Sequence, residues 1–185
     1  MRSFTFFVSL PALTALGALA LIDRTVGNRR LWRAAVAGAV AGLLAAVAYD
    51  VFRLPFVYAN DLGIQRFVPA LKLFKVFPRF GAMLLGQPIE QTHYTIQAQL
   101  LGWGYHFSNG VTFGIMYVTL LNDPAQRHWA WGVVFAVGLE LGMLFTPYPA
   151  YFQIPLTVRF VVVTLAAHAV FGIVMGRTTL RLWKV

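Results

Sequence analysis

Four side chains stand where apolar stretches of this chain would otherwise be uninterrupted: His106, Glu140, Arg159 and His168. Each histidine opens the same pattern, His106-x3-Gly110-x3-Gly114 and His168-x3-Gly172-x3-Gly176. Two imidazoles at similar depth on helices running the same way could ligate one b-type haem axially, the glycines leaving room for the porphyrin edge. A second haem would need histidines about one span away. His93 supplies one for the first helix, whereas Ile154 and Pro155 occupy the matching region of the other. The imidazoles could instead hydrogen-bond across helix interfaces, assisted by Ser108, Asn109 or Thr164, or line a small-solute cavity.

Ionisable groups inside a bilayer are costly, so each needs a partner or a task. Glu140 lies near the end of one apolar stretch and Arg159 near the start of the next, which points to an ion pair at similar depth. The functional alternative is a carboxylate that binds a cation or a proton. On the same assumption Glu140 falls roughly 10 Å from His168 along the membrane normal, too far to share a metal. Asp50 and Arg53, three apart, suit a local pair, and Asp50 could also face His93 in a polar entrance. No HExxH, GxSxG, P-loop or dinucleotide fingerprint is present, and the absence of cysteine removes thiolate chemistry. Catalytic and metal roles are therefore not expected.

The elements that must position these groups follow from composition. Hydrophobic residues make up 59% of the chain and charged ones 11%, against about 25% charged in soluble domains, so lipid is the expected solvent. An all-α polytopic membrane bundle of one domain is the expected fold. Its five spans fall at about 4–22, 31–49, 94–121, 128–146 and 155–176. Residues 4–22 suit an uncleaved anchor better than a signal peptide cut after Ala18-Leu19-Ala20, because the apolar run is long for an h-region. Residues 56–91 are interrupted by Arg66, Lys72, Lys75 and Arg79. With Phe67, Leu71, Phe74 and Phe77 or Leu73 on the opposite side, they read as an amphipathic interfacial helix or a re-entrant segment. Trp32, Trp103, Trp129, Trp131 and Trp183 sit near the expected boundaries, as an interfacial belt requires.

The net charge of +9 comes from basic residues clustered between apolar runs, which suits anionic lipid headgroups and gives no basic face for nucleic acid. A cytoplasmic C-terminus places eight basic residues inside and seven outside, several of the latter in the long connection that counts least.

Gly38-x3-Gly42 recurs as Gly138-x3-Gly142, in the same order relative to the two histidine patterns. Two tandem helical hairpins related by an axis along the membrane normal would explain this, with the glycine faces allowing close helix contact. Segments 106–117, 131–147 and 168–176 resemble uncharacterised small four-helix-core membrane proteins of bacteria and archaea, a domain of unknown function. The resemblance covers about 31–176, leaves out the first span and the insertion, and implies topology without a mechanism. In length and hydropathy the chain is also similar to the substrate-binding components of modular vitamin importers. The expectation is a non-enzymatic protein of a prokaryotic cytoplasmic membrane. It binds or passes a small solute between the hairpins, lined by His106, Asn109, Glu140 and His168. A haem-bearing electron-transfer subunit and a scaffold joining other membrane proteins or its own copies are the alternatives.

Overall fold

The computed structural model describes residues 10–121 and 123–183. Among them the chain is helical and has no strand: α1 (Leu10–Thr25), α2 (Arg30–Val57), α3 (Val76–Leu85), α4 (Ile96–Leu120), α5 (Ala130–Leu144), the single turn α6 (Tyr148–Tyr151) and α7 (Val158–Trp183). Short 3-10 turns at Leu73–Lys75 and Pro124–Gln126 lead into α3 and α5. Thr95 caps α4 by accepting from Ala98 N, and α3 stops at Gly86, whose φ of 69° is a left-handed conformation open to glycine at no steric cost.

α2 is central, with α4 and α7 against it. α5 lies on α7, α3 folds back onto α4, and α1 leans on α2. The packing of α2 inverts what water would select. Its buried face consists of small residues such as Ala41, Gly42, Ala45 and Ala46, together with Asp50 and Arg53, while Val40, Leu43, Leu44, Val47 and Val51 are exposed. Each Val or Leu left in water would forgo about 1.5–3 kcal/mol of burial, so this face asks for apolar surroundings. α2 and α7 are long and apolar enough to cross a membrane. Their 28 and 26 residues reach about 42 and 39 Å at ~1.5 Å per residue. α5, with 15 residues, reaches about 22 Å.

Small residues let the helix backbones touch. Gly38 and Gly42 of α2 meet Gly114 and Gly110 of α4 so closely that a Cβ on Gly42 would overlap the Gly110 carbonyl. On the other side Gly172 and Gly176 of α7 meet Gly132 and the Trp129 carbonyl. Gly81 and Gly102 do the same between α3 and α4. Gly138 and Gly142, expected to mirror Gly38 and Gly42, face open space and pack against nothing. The α5 face that meets α7 is the one bearing Gly132, Ala136 and Glu140 instead.

Other boundaries also shift. α2 continues past Tyr49 to Val57 with Pro55 in its final turn, and α7 begins after Pro155 and runs beyond Gly176. The first expected span begins in residues outside the described set. The insertion forms no continuous amphipathic helix. Residues 58–72 are turns and coil with Phe67 exposed, the helix begins only at Val76, and Arg79 is buried at 5% exposure where a solvated cation was expected. Trp103 packs on Phe74 and Phe77. Trp32, Trp129 and Trp183 stack under Arg24, Arg177 and Arg33.

These contacts predict a contrast between glycines. Gly42→Ala should lower the thermal unfolding midpoint of detergent-purified protein, reflecting about 1–3 kcal/mol of overpacking. Gly138→Ala should leave the midpoint unchanged or raise it, since only helix propensity changes there. Equal effects would mean that the α2–α4 contact is not as described.

Candidate functional site

The glycine contacts set the depth at which polar groups meet. In α2, Asp50 lies two turns beyond Gly42; in α4, His106 lies one turn before Gly110. With Gly42 seated on Gly110, the carboxylate reaches the imidazole, and His106 Nε2 is 2.9 Å from Asp50 Oδ2. The second helix pair repeats the arithmetic. Glu140 lies two turns beyond Gly132 in α5, and His168 one turn before Gly172 in α7. Here His168 Nε2 is 3.4 Å from Glu140 Oε2.

The two couples differ in their further partners. The second oxygen of Asp50 faces Arg53 at 3.4 Å while the first accepts from His106 Nε2–H, which joins the three side chains into a trio. His168 Nδ1 donates to the Thr164 carbonyl at 2.9 Å, because a carbonyl can only accept. Its Nε2 faces the Glu140 carboxylate at 3.4 Å, a longer contact than the one between His106 and Asp50. The Tyr49 ring links the couples, 5.8 Å from the His106 ring and 4.9 Å from the His168 ring.

Arg53 is 3% exposed, donates to the Leu73 carbonyl at 2.6 Å and lies over the rings of Tyr49 and Phe74 at 4.6 and 5.1 Å. Arg79 crosses from α3 to the far side of the site, donating to the carbonyls of Phe152 and Gln153 at 2.5 and 3.1 Å. Phe80 follows it, in edge contact with Phe152 at 4.8 Å. α3 and residues 148–155 therefore close one end of the structure together. Burial there pushes the Tyr148 phenol above the ordinary tyrosine range, so it serves as a neutral hydroxyl.

Beneath this cover is a cavity of about 560 Å³. α4 and α5 flank it, touching where Tyr117 meets Phe135, and α2 and α7 form its back wall. Its lining includes His106, Asn109, Glu140 and His168, together with Tyr49 and Tyr105. The volume lies within the ~300–1,000 Å³ of small-molecule sites, and the wall combines apolar and aromatic side chains with a substantial set of polar and charged ones.

Three expected arrangements are corrected. Glu140 meets His168 and not Arg159, which is exposed and has no ion pair among the described residues. The ~10 Å offset assumed that α5 and α7 end at one level. In fact α5 stops at Leu144, residues 145–157 fold over its end, and Glu140 comes level with His168. His93 is exposed and apart from Asp50, whose partners are Arg53 and His106. The histidines also do not present themselves as an axial pair for haem: their Nε2 atoms point at carboxylates, and Tyr49 contacts both rings. Sequence reasoning missed Tyr49, Arg53 as a cavity residue and Arg79. The signal for the couples was Gly42-x3-Ala46-x3-Asp50 beside Gly132-x3-Ala136-x3-Glu140, a spacing shared by both helices.

No family model, no curated protein and no solved structure matches the chain. The site is therefore read from its own geometry.

Removing one member of the trio should be worse than removing two. Arg53→Met leaves Asp50 buried without its cation and should cost about 3–5 kcal/mol in detergent unfolding. Arg53→Met with Asp50→Asn should recover much of that loss. A double variant no more stable than the single would remove the electrostatic account.

Proposed function

We propose that the chain is a polytopic membrane protein that binds or passes a small solute in the cavity between its two glycine-knit helix pairs. The observation that carries this reading is the convergence of His106, Asn109, Glu140 and His168, from three helices, on one cavity of about 560 Å³. The exposed aliphatic face of α2 and the length of α2 and α7 support membrane insertion. The Arg-on-Trp stacks Arg24–Trp32, Arg33–Trp183 and Arg177–Trp129 support an interface with anionic headgroups at one end. On this reading α1, α2, α4, α5 and α7 cross the bilayer. The cover formed by α3 and residues 148–155 dips in from the opposite surface, which compensates for the short α5.

The shared spacing of the two pairs supports a tandem arrangement in which α2 and α4 correspond to α5 and α7. Tyr49 contacts both imidazoles, so one ring joins the polar groups of the two pairs. Scaffolding through the glycine faces has less support, because Gly110, Gly114, Gly172 and Gly176 are already occupied by the chain's own helices.

Two experiments test this. Because the chain has no cysteine, single cysteines can be placed freely for labelling by a membrane-impermeant maleimide. Asn28→Cys and Gln126→Cys should label from one side of the membrane and Leu62→Cys from the other; labelling of all three from one side would exclude five spans. For the cavity, native mass spectrometry of gently extracted protein should show a small non-covalent adduct that is lost in the cavity-filling variant Leu139→Trp. A bare native chain, or an adduct indifferent to Leu139→Trp, would sink the solute reading.

A further inference from the structure

The charges around the cavity are unequal. Four cationic side chains line it, Arg53, Lys72, Lys75 and Arg79, whereas Glu140 is the one carboxylate among its described lining residues. Glu140 is already engaged with His168. Asp50 answers Arg53 from behind, and Glu90 stands 3.8 Å from Arg79 but is largely exposed. Lys72 and Lys75 are exposed, line the cavity and make no ion pair among the described residues. The excess is positive, and it gathers on the side of α3 and the turn before it.

Two of these cations are also incompletely satisfied. Arg53 and Arg79 are 3% and 5% exposed, and each retains a buried Nε–H with no partner among the described residues. A buried donor left unpaired is costly, and a guanidinium is the side chain best shaped to hold a carboxylate or phosphate through several N–H groups. Farther along α4 and α7, past His106 and His168, the wall is apolar, with Phe113 and Phe171 among its residues. One end of the cavity thus suits an acid and the other a hydrocarbon or an aromatic ring.

Resting on the cavity reading above, we infer that the solute is an anionic amphiphile. Its carboxylate or phosphate head sits against Arg79, Lys72 and Lys75, and its apolar body extends toward His168. A body of this kind reaches the site from within the bilayer, through the sparse α4–α5 contact, without losing its lipid-like surroundings. The head meets the cations at the covered end, where lysines reach water.

The test compares probes that share a body and differ in the head: dansyl-undecanoic acid, its methyl ester and dansyl-undecylamine. Each is titrated into the purified full chain while energy transfer from tryptophan is followed. The acid should bind at least tenfold more tightly than the ester, and the amine should bind least. The exposed double variant Lys72→Gln/Lys75→Gln, chosen because it leaves the buried packing intact, should weaken the acid severalfold and leave the ester unchanged. Arg79→Gln should abolish the preference for acid over ester. Displacement of the probe by dodecyl phosphate better than by dodecanoate would assign the head as phosphate, and the reverse as carboxylate. Ester and acid binding alike would overturn the anionic inference while leaving the cavity reading intact. Binding of none of the three by folded protein would overturn the amphiphile inference, and the adduct experiment above would then decide the cavity reading by itself.

Discussion

The helices of this chain meet backbone to backbone, and the register imposed by that contact decides which polar side chains face one another. Gly42 against Gly110 and Gly132 against Gly172 leave no freedom to slide, because any larger residue would strike a carbonyl. Two turns beyond each α2 or α5 glycine stands a carboxylate, and one turn before each α4 or α7 glycine stands a histidine. Close packing and polar pairing are therefore two consequences of one arrangement. In apolar surroundings, where helix association draws little from the hydrophobic effect, dispersion across small residues and buried hydrogen bonds must supply the stability.

That arrangement also creates the cavity. α4 is held by α2 and α5 by α7, so α4 and α5 have little direct contact and leave space between them. The space is sealed at one end by α3 and residues 148–155, tied together by Arg79 and the Phe80–Phe152 contact. The polar groups that line it are held by neighbours: His106 by Asp50, His168 by the Thr164 carbonyl and Glu140, Arg53 by Leu73 and two aromatic rings. Such groups are held in place by the fold itself, each with a partner that fixes its direction.

Much of this was legible in the sequence because the signals were local. Apolar length and sparse charge located α2, α4, α5 and α7 to within several residues, and the recurring His-x3-Gly-x3-Gly pointed to the two histidines that line the cavity. What was hidden depended on where helices end in space. Glu140 looked a suitable partner for Arg159 when helix ends were assumed level, and only the fold of residues 145–157 brings Glu140 to the depth of His168. Arg79 looked like a solvated cation of an amphipathic helix; its burial requires α3 to turn back onto α4, which residues 58–72 permit but do not announce. The glycine correspondence was sought at Gly138 and Gly142, although the spacing to Glu140 would have selected Gly132.

A double-mutant cycle in detergent unfolding tests the register most directly. If α5 and α7 meet as described, Glu140→Gln and His168→Phe should couple by about 0.5–3 kcal/mol, while Glu140→Gln and Arg159→Gln should be additive within about 0.5 kcal/mol. Coupling of Glu140 to Arg159, with none to His168, would contradict the account.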